Sequence, residues 1–239
     1  MKTVGIIGGI GPESTIEYYR SIIAQYREHK RDGGYPPIIL NSIDLTKLLD
    51  LMTANELQTA TDYLVAEVKR LDRAGADFGV LASNTPHIVF DEIRARSPIP
   101  LLSIIEATRD AANGLGMKRV GLFGTRFTMQ GGFYAKTFLS AGMTVVMPEE
   151  DEQTYIHEKY IGELLNNIFL PGTRGRLLAI ADRLKAREAI DGLILGGTEL
   201  PLILRDAEHN GIRFLDTTQI HVARIVAELL STDSADYTD

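Results

Sequence analysis

Residues 4–8 read Val-Gly-Ile-Ile-Gly, and residues 120–124 read Val-Gly-Leu-Phe-Gly. Each is a short apolar run that stops at glycine and is followed by a helical pattern, the form of a buried strand feeding a crossover helix. Val4 maps onto Val120, a shift of 116, and the same shift carries Tyr18 onto Tyr134. A second pair follows in the same order. Val80-Leu81-Ala82-Ser83-Asn84-Thr85 resembles Ile194-Leu195-Gly196-Gly197-Thr198-Glu199, a shift of 114. One such pair is what any two βα units share, but two pairs at nearly equal shifts favour an internal repeat. The expected fold is therefore α/β: two similar half-domains with parallel sheets, related by a pseudo-twofold axis, with a ligand cleft between them.

Strands are expected at 3–9, 37–44, 78–83, 99–104, 119–125, 143–148, 192–198 and 213–218. Helical patterns cover 12–30, 55–74, 86–96, 105–115, 155–168, 173–189 and 219–230. Strands separated by helices imply parallel sheets. The half-domains are expected at 1–105 and 118–215, with the closing helix 219–230 packed back on the first. The polar tail STDSADYTD (231–239) is expected to fray. Ligands of open α/β sheets bind outside the carboxyl ends of the strands. Two facing halves would then bring four loops around one cleft: those after Gly8, Ser83, Gly124 and Gly196.

The composition narrows the function. The chain has 239 residues, a net charge of −7 and an ordinary apolar share of 44%. Such a surface repels phosphate backbones, so nucleic acid is a poor partner. No stretch reaches the roughly 18 apolar residues of a membrane span, and the N-terminus lacks the apolar core of a secretory signal. A cytoplasmic location is the expectation. There is no cysteine, which removes disulfides, thiolate metal sites and any cysteine nucleophile or thiol base.

The first loop, Gly8-Gly9-Ile10-Gly11-Pro12-Glu13-Ser14, lets a ligand approach the backbone and leaves free N–H groups at a helix start, which suit an anion. A dinucleotide fingerprint would need a third glycine where Ser14 stands. A small carboxylate fits better; a plain strand-to-helix turn is the alternative. In the second loop, Asn84 and Thr85 can donate to a carboxylate or simply cap a helix. His87 lies one helical turn past Ser83 and either orients a substrate or packs at the seam. In the third, Thr125 and Thr128 either bind or cap. In the fourth, Glu199 either acts as a base or stabilises a helix dipole.

Taken together, these loops resemble the aspartate/glutamate racemase family from end to end. Its G-G-M-G-P-like loop corresponds to Gly8–Pro12 and its C-N-T-x-H to Ser83-Asn84-Thr85-Pro86-His87. G-T-x-x-T-M corresponds to Gly124–Met129, and G-C-T-E to Gly196-Gly197-Thr198-Glu199. The resemblance implies a homodimer without cofactor or metal. It implies substrate contacts from Gly9, Asn84, Thr85, Thr125, Thr128 and Thr198. It also implies proton transfer at an amino-acid α-carbon between two cysteines, one on each face.

Here Ser83 and Gly197 stand at those two positions, and the internal repeat pairs the same two residues. A thiol near pKa 8.5 can be tuned to give and take protons near neutral pH. A serine hydroxyl is a far weaker acid, and glycine has no group at all. Weak or altered racemisation is therefore expected, with an activated Ser83, Glu199 or a water in place of the thiols and His87 as a further candidate. The alternative is an inactive binder of amino acids or small dicarboxylates. A third reading is a hydrolase or lyase in which His87 or His221 activates Ser83. A distal carboxylate of aspartate or glutamate would need a cation, for which Lys47, on the loop after the second strand, and Arg126 are the candidates.

Overall fold

The computed structural model describes residues 1–30 and 33–231, and in it the strands fall into two sheets. The first is built from β1 (Val4–Gly8), α1 (Pro12–His29), β2 (Ile38–Ser42), α2 (Leu45–Thr53), α3 (Leu57–Arg73), β3 (Phe78–Leu81), a 3₁₀ turn (Thr85–Val89), α4 (Phe90–Arg96), β4 (Leu101–Leu102) and α5 (Ile104–Gly114). Its strand order is β2-β1-β3-β4, all parallel. The second is built from β5 (Arg119–Gly124), α6 (Arg126–Gln130), α7 (Phe133–Leu139), β6 (Thr144–Val146), α8 (Glu150–Gly162), α9 (Pro171–Glu188), β7 (Gly192–Gly196), α10 (Leu200–Ile203), β8 (Glu208–His209), β9 (Ile212–Asp216) and α11 (Thr217–Leu230). Its order is β6-β5-β7-β9-β8, parallel except for the antiparallel β8–β9 pair. The first four strands of each sheet share one order, with the first strand between the second and third. That is what the repeat in the sequence requires.

Alternation along the strands decides what each face packs against. Val4 and Ile6 join Tyr18 and Ile22 of α1, and Val222, Ile225 and Leu229 of α11, in one apolar cluster. Ile7 faces the opposite cluster, with Leu64, Val68 and Leu71 of α3. The closing helix therefore packs on the first sheet, although β9 hands it over from the second. Asp216 starts it by accepting hydrogen bonds from the N–H groups of Thr218 and Gln219 at 2.9 and 3.1 Å, a side-chain N-cap.

One element departs from expectation in a way that matters for the site. Lys47 lies on helix α2, not on a loop. The Asp44 carboxylate caps this helix, accepting from Thr46 N at 2.9 Å and Lys47 N at 3.3 Å. Leu48 and Met52, one turn apart, are buried beneath it. No helix among the described residues is long and apolar enough to cross a membrane. The polar tail lies, from residue 232 on, outside the described residues.

Candidate active site

Gly8, Leu81, Gly124 and Gly196 end their strands at the same edge of each sheet, so the loops that follow converge. Ser83 and Thr85 from the second loop and Thr125 from the third line one small cavity of about 40 Å³. Leu45, Leu48 and Met52 of α2 form much of its apolar side, and Tyr160 of α8 also lines it. Thr85 Oγ1 lies 3.1 Å from Thr125 Oγ1 and 3.3 Å from Thr128 Oγ1, and the last two are 3.2 Å apart. Thr125 also caps α6, accepting from Thr128 N at 3.2 Å. Three hydroxyls that can each donate or accept thus share one corner, tying the second loop to the third.

Asn84 is buried and does not line the cavity. Its side-chain oxygen accepts from Tyr134 Oη at 2.6 Å, and its nitrogen donates to Thr217 Oγ1 at 3.2 Å. Thr217 in turn donates to Leu195 O at 2.9 Å. Asn84 is therefore a bolt joining the second loop to α7, α11 and β7.

His87 sits behind the same loop, 4% exposed, with Nδ1 3.0 Å from the backbone oxygen of Ser83 and its ring stacked on Phe90. Burial, followed by the neighbouring His221, drives its pKa down to about 3. It is a neutral imidazole that holds the Ser83 backbone, not the Ser83 hydroxyl. His221 is held by Tyr18 Oη at 2.8 Å and Leu102 O at 3.2 Å, and burial brings it likewise to about 3. The hydrolase arrangement therefore has no histidine on Ser83 Oγ.

The fourth loop is built differently. A Cβ added to Gly197 would run into Cε2 of Tyr160 and lie 2.8 Å from its Oη. The ring of Tyr160 occupies the space that a side chain at 197 would need. Tyr160 Oη donates to Glu199 Oε2, which also accepts from Thr198 Oγ1 at 2.9 Å. Glu199 Oε1 is buried with no hydrogen-bond partner. It lies against Gly11: a Cβ there would meet Oε1 at 2.5 Å, and Gly11 has φ +99°. Only glycine suits that position. Burial raises the Glu199 carboxyl above its usual range, opposed by the hydrogen bonds from Tyr160 and Thr198. Burial, and then the charge of Glu199, push the Tyr160 phenol upward.

Gly9, at φ +79°, gives its N–H to Thr15 Oγ1 at 2.8 Å, which closes the first loop on α1. Lys47 points its ammonium at the ring of Tyr63, 4.2 Å from the centroid. Arg126 is exposed, and its backbone N–H donates to His157 Nδ1 at 3.2 Å. Among the described residues, no Lys, Arg or His lines the Ser83 cavity.

The sequence reading missed Tyr160. Its signal is the buried stripe Ile156-Tyr160-Leu164 at helical spacing, which reads as ordinary core until Gly197 is placed beside it.

Two largely parallel sheets, with strand-end loops meeting over one mostly apolar cavity edged by hydroxyls, define an α/β protein. Comparison with known proteins is more specific. The sequence profile of the Asp/Glu/Hydantoin racemase family matches residues 7–225. A candidate Asp/Glu racemase from Yersinia pestis superposes with a TM-score of 0.88 at 32% identity, covering 97% of this chain and 100% of that one. An aspartate racemase homologue from Pyrococcus horikoshii OT3 gives 0.81, also at 32% identity, with the same coverage. The broad specificity amino-acid racemase RacX of Bacillus subtilis is 27% identical over 154 residues, 63% of this chain and 66% of its own length. The chain belongs to the Asp/Glu/Hydantoin racemase family.

Proposed function

We propose that the protein is an isomerase acting at the α-carbon of an amino acid, without a cofactor. Its activity is weak or altered because Ser83 and Gly197 stand where the family places cysteines. The observation that carries this reading is the cavity that Ser83 shares with Thr85, Thr125 and Tyr160, at the carboxyl ends of strands from both sheets. The threonine hydroxyls suit a substrate carboxylate. The apolar wall from α2, and the lack of a lining cation among the described residues, support poor acceptance of a second carboxylate. A cavity of about 40 Å³ holds a few waters, so binding an amino acid requires it to widen.

The second reading is a binder of amino acids or small dicarboxylates without turnover, and the Tyr160 ring filling the space at Gly197 favours it. The reading further takes residues 1–105 with α11 as one half-domain, 118–215 as the other, and a cytoplasmic homodimer as the working form. Light scattering at twice the chain mass tests the last point.

The functional test incubates the native protein with single enantiomers of aspartate, glutamate and apolar amino acids, followed by chiral chromatography. The expected result is turnover of aspartate and glutamate far below that of a thiol-containing relative. Robust turnover of either acid contradicts the reading. Calorimetric binding with no inversion of any substrate favours the binder.

A further inference from the structure

On the isomerase reading above, we propose that Tyr160, acting with Glu199, is the proton-transfer group on the cleft wall opposite Ser83. Three observations place it there. Tyr160 lines the cavity that contains Ser83. Its ring fills the volume next to Gly197 where a side chain would otherwise project. Its hydroxyl hydrogen-bonds Glu199 Oε2, which Thr198 also holds. Glycine at 197 is thus the condition for a phenol from α8 to reach the cleft.

The step balances without any co-reactant. The substrate Cα–H bond breaks and its proton passes to Tyr160 Oη, while the phenolic proton passes to Glu199 Oε2. The electron pair stays on the substrate, delocalised into its carboxyl group. Reversal returns a proton to the same face of the α-carbon. Water in the cavity exchanges the protons held by the Tyr–Glu pair, so solvent hydrogen enters the substrate with retention of configuration. Inversion needs a donor on the other face, and there Ser83 Oγ has no hydrogen-bond partner among the described residues to activate it. One-wall exchange should outrun racemisation.

The burial of Glu199 supports the relay, because a carboxylate held above its usual range is a stronger base. Tyr160 from α8 and Glu13 from α1 are the titratable groups that act on it. The relay needs Glu199 ionised, so exchange should rise with pH through the Glu199 titration and then level.

The test places single enantiomers of a panel of acidic and apolar amino acids in heavy water with the native full chain. Loss of the α-hydrogen signal is followed by proton NMR, and inversion by chiral chromatography. One enantiomer should lose its α-hydrogen about tenfold faster than it inverts, or more. Tyr160→Phe, which keeps the ring, should lower exchange about 10²-fold or more, the usual share of a general base. Glu199→Gln should lower it and flatten its pH profile. The retention ratio and the pH profile are read on the native protein, so a poorly folding variant does not spare the proposal. Exchange in Tyr160→Phe within threefold of native overturns the relay and leaves the isomerase reading standing. Inversion as fast as exchange in the native protein overturns the one-wall account. No exchange with any substrate overturns the isomerase reading itself, and the relay with it.

Discussion

The loop after β3 and the loop after β7 are counterparts in the internal repeat, yet they solve the same problem in opposite ways. The first keeps a small hydroxyl, Ser83, open to the cavity, with a buried base, His87, bracing its backbone. The second has no side chain at Gly197, and a residue from a different helix, Tyr160, fills the place under a buried acid, Glu199. Two positions that start alike in a duplicated fold need not keep like chemistry. What each can do depends on what enters the space beside it.

The contrast has a sign in pH, and this is the larger of two stability effects. His87 and His221 are held at about 3 against an ordinary 6.5. The unfolded chain binds these protons first as pH falls. The stability these rings contribute is complete above 6.5 and is lost progressively as pH falls toward 3. At pH 5 the loss is on the order of 2 kcal/mol for each imidazole. Urea midpoints measured from pH 7.5 down to 5 should fall accordingly, and His87→Phe, which keeps the stacking on Phe90, should reduce the slope. A midpoint flat over that range would show that the first loop is not braced by a neutral ring.

The second loop runs the other way. The Glu199 carboxyl is raised in the folded protein. Its contribution is complete below the unfolded value near 4.5 and is lost as pH rises through the folded one. Glu199→Gln, which cannot ionise, should be more stable than the native protein above neutral pH, with the difference closing below about pH 4.5. Equal midpoints for the two proteins at high pH would mean that Glu199 is better solvated than its burial indicates.

The same contrast explains what the sequence could and could not reveal. The four loops, the two sheets and the return of the last helix to the first sheet were legible, because apolar runs ending in glycine or small polar residues mark strand ends. Thr125 as a helix cap was legible for the same local reason. Helix α2 was not, since its nine residues follow a strand directly and its apolar spacing spans only two turns. Asn84 was legible as a polar residue at a strand end, but its partners Tyr134 and Thr217 are distant in the chain. Tyr160 was the least legible. A glycine announces that a side chain is missing, not which distant residue moves in.

On the proposed function, the cleft has a carboxylate corner but no thiol chemistry, and Tyr160 stands where the second thiol would act. The direct measurement is the rate of aspartate and glutamate racemisation in three proteins: native, Ser83→Cys with Gly197→Cys, and that pair combined with Tyr160→Ala. A Cβ at 197 runs into the Tyr160 ring, so the two cysteines alone should gain little and should lower the melting temperature. Removing the ring as well should raise racemisation above native by about 10²–10⁴-fold, the range of restored acid–base catalysis. A double variant as active as the triple, or a native rate matching both, would show that the Tyr160 ring does not block a thiol at position 197.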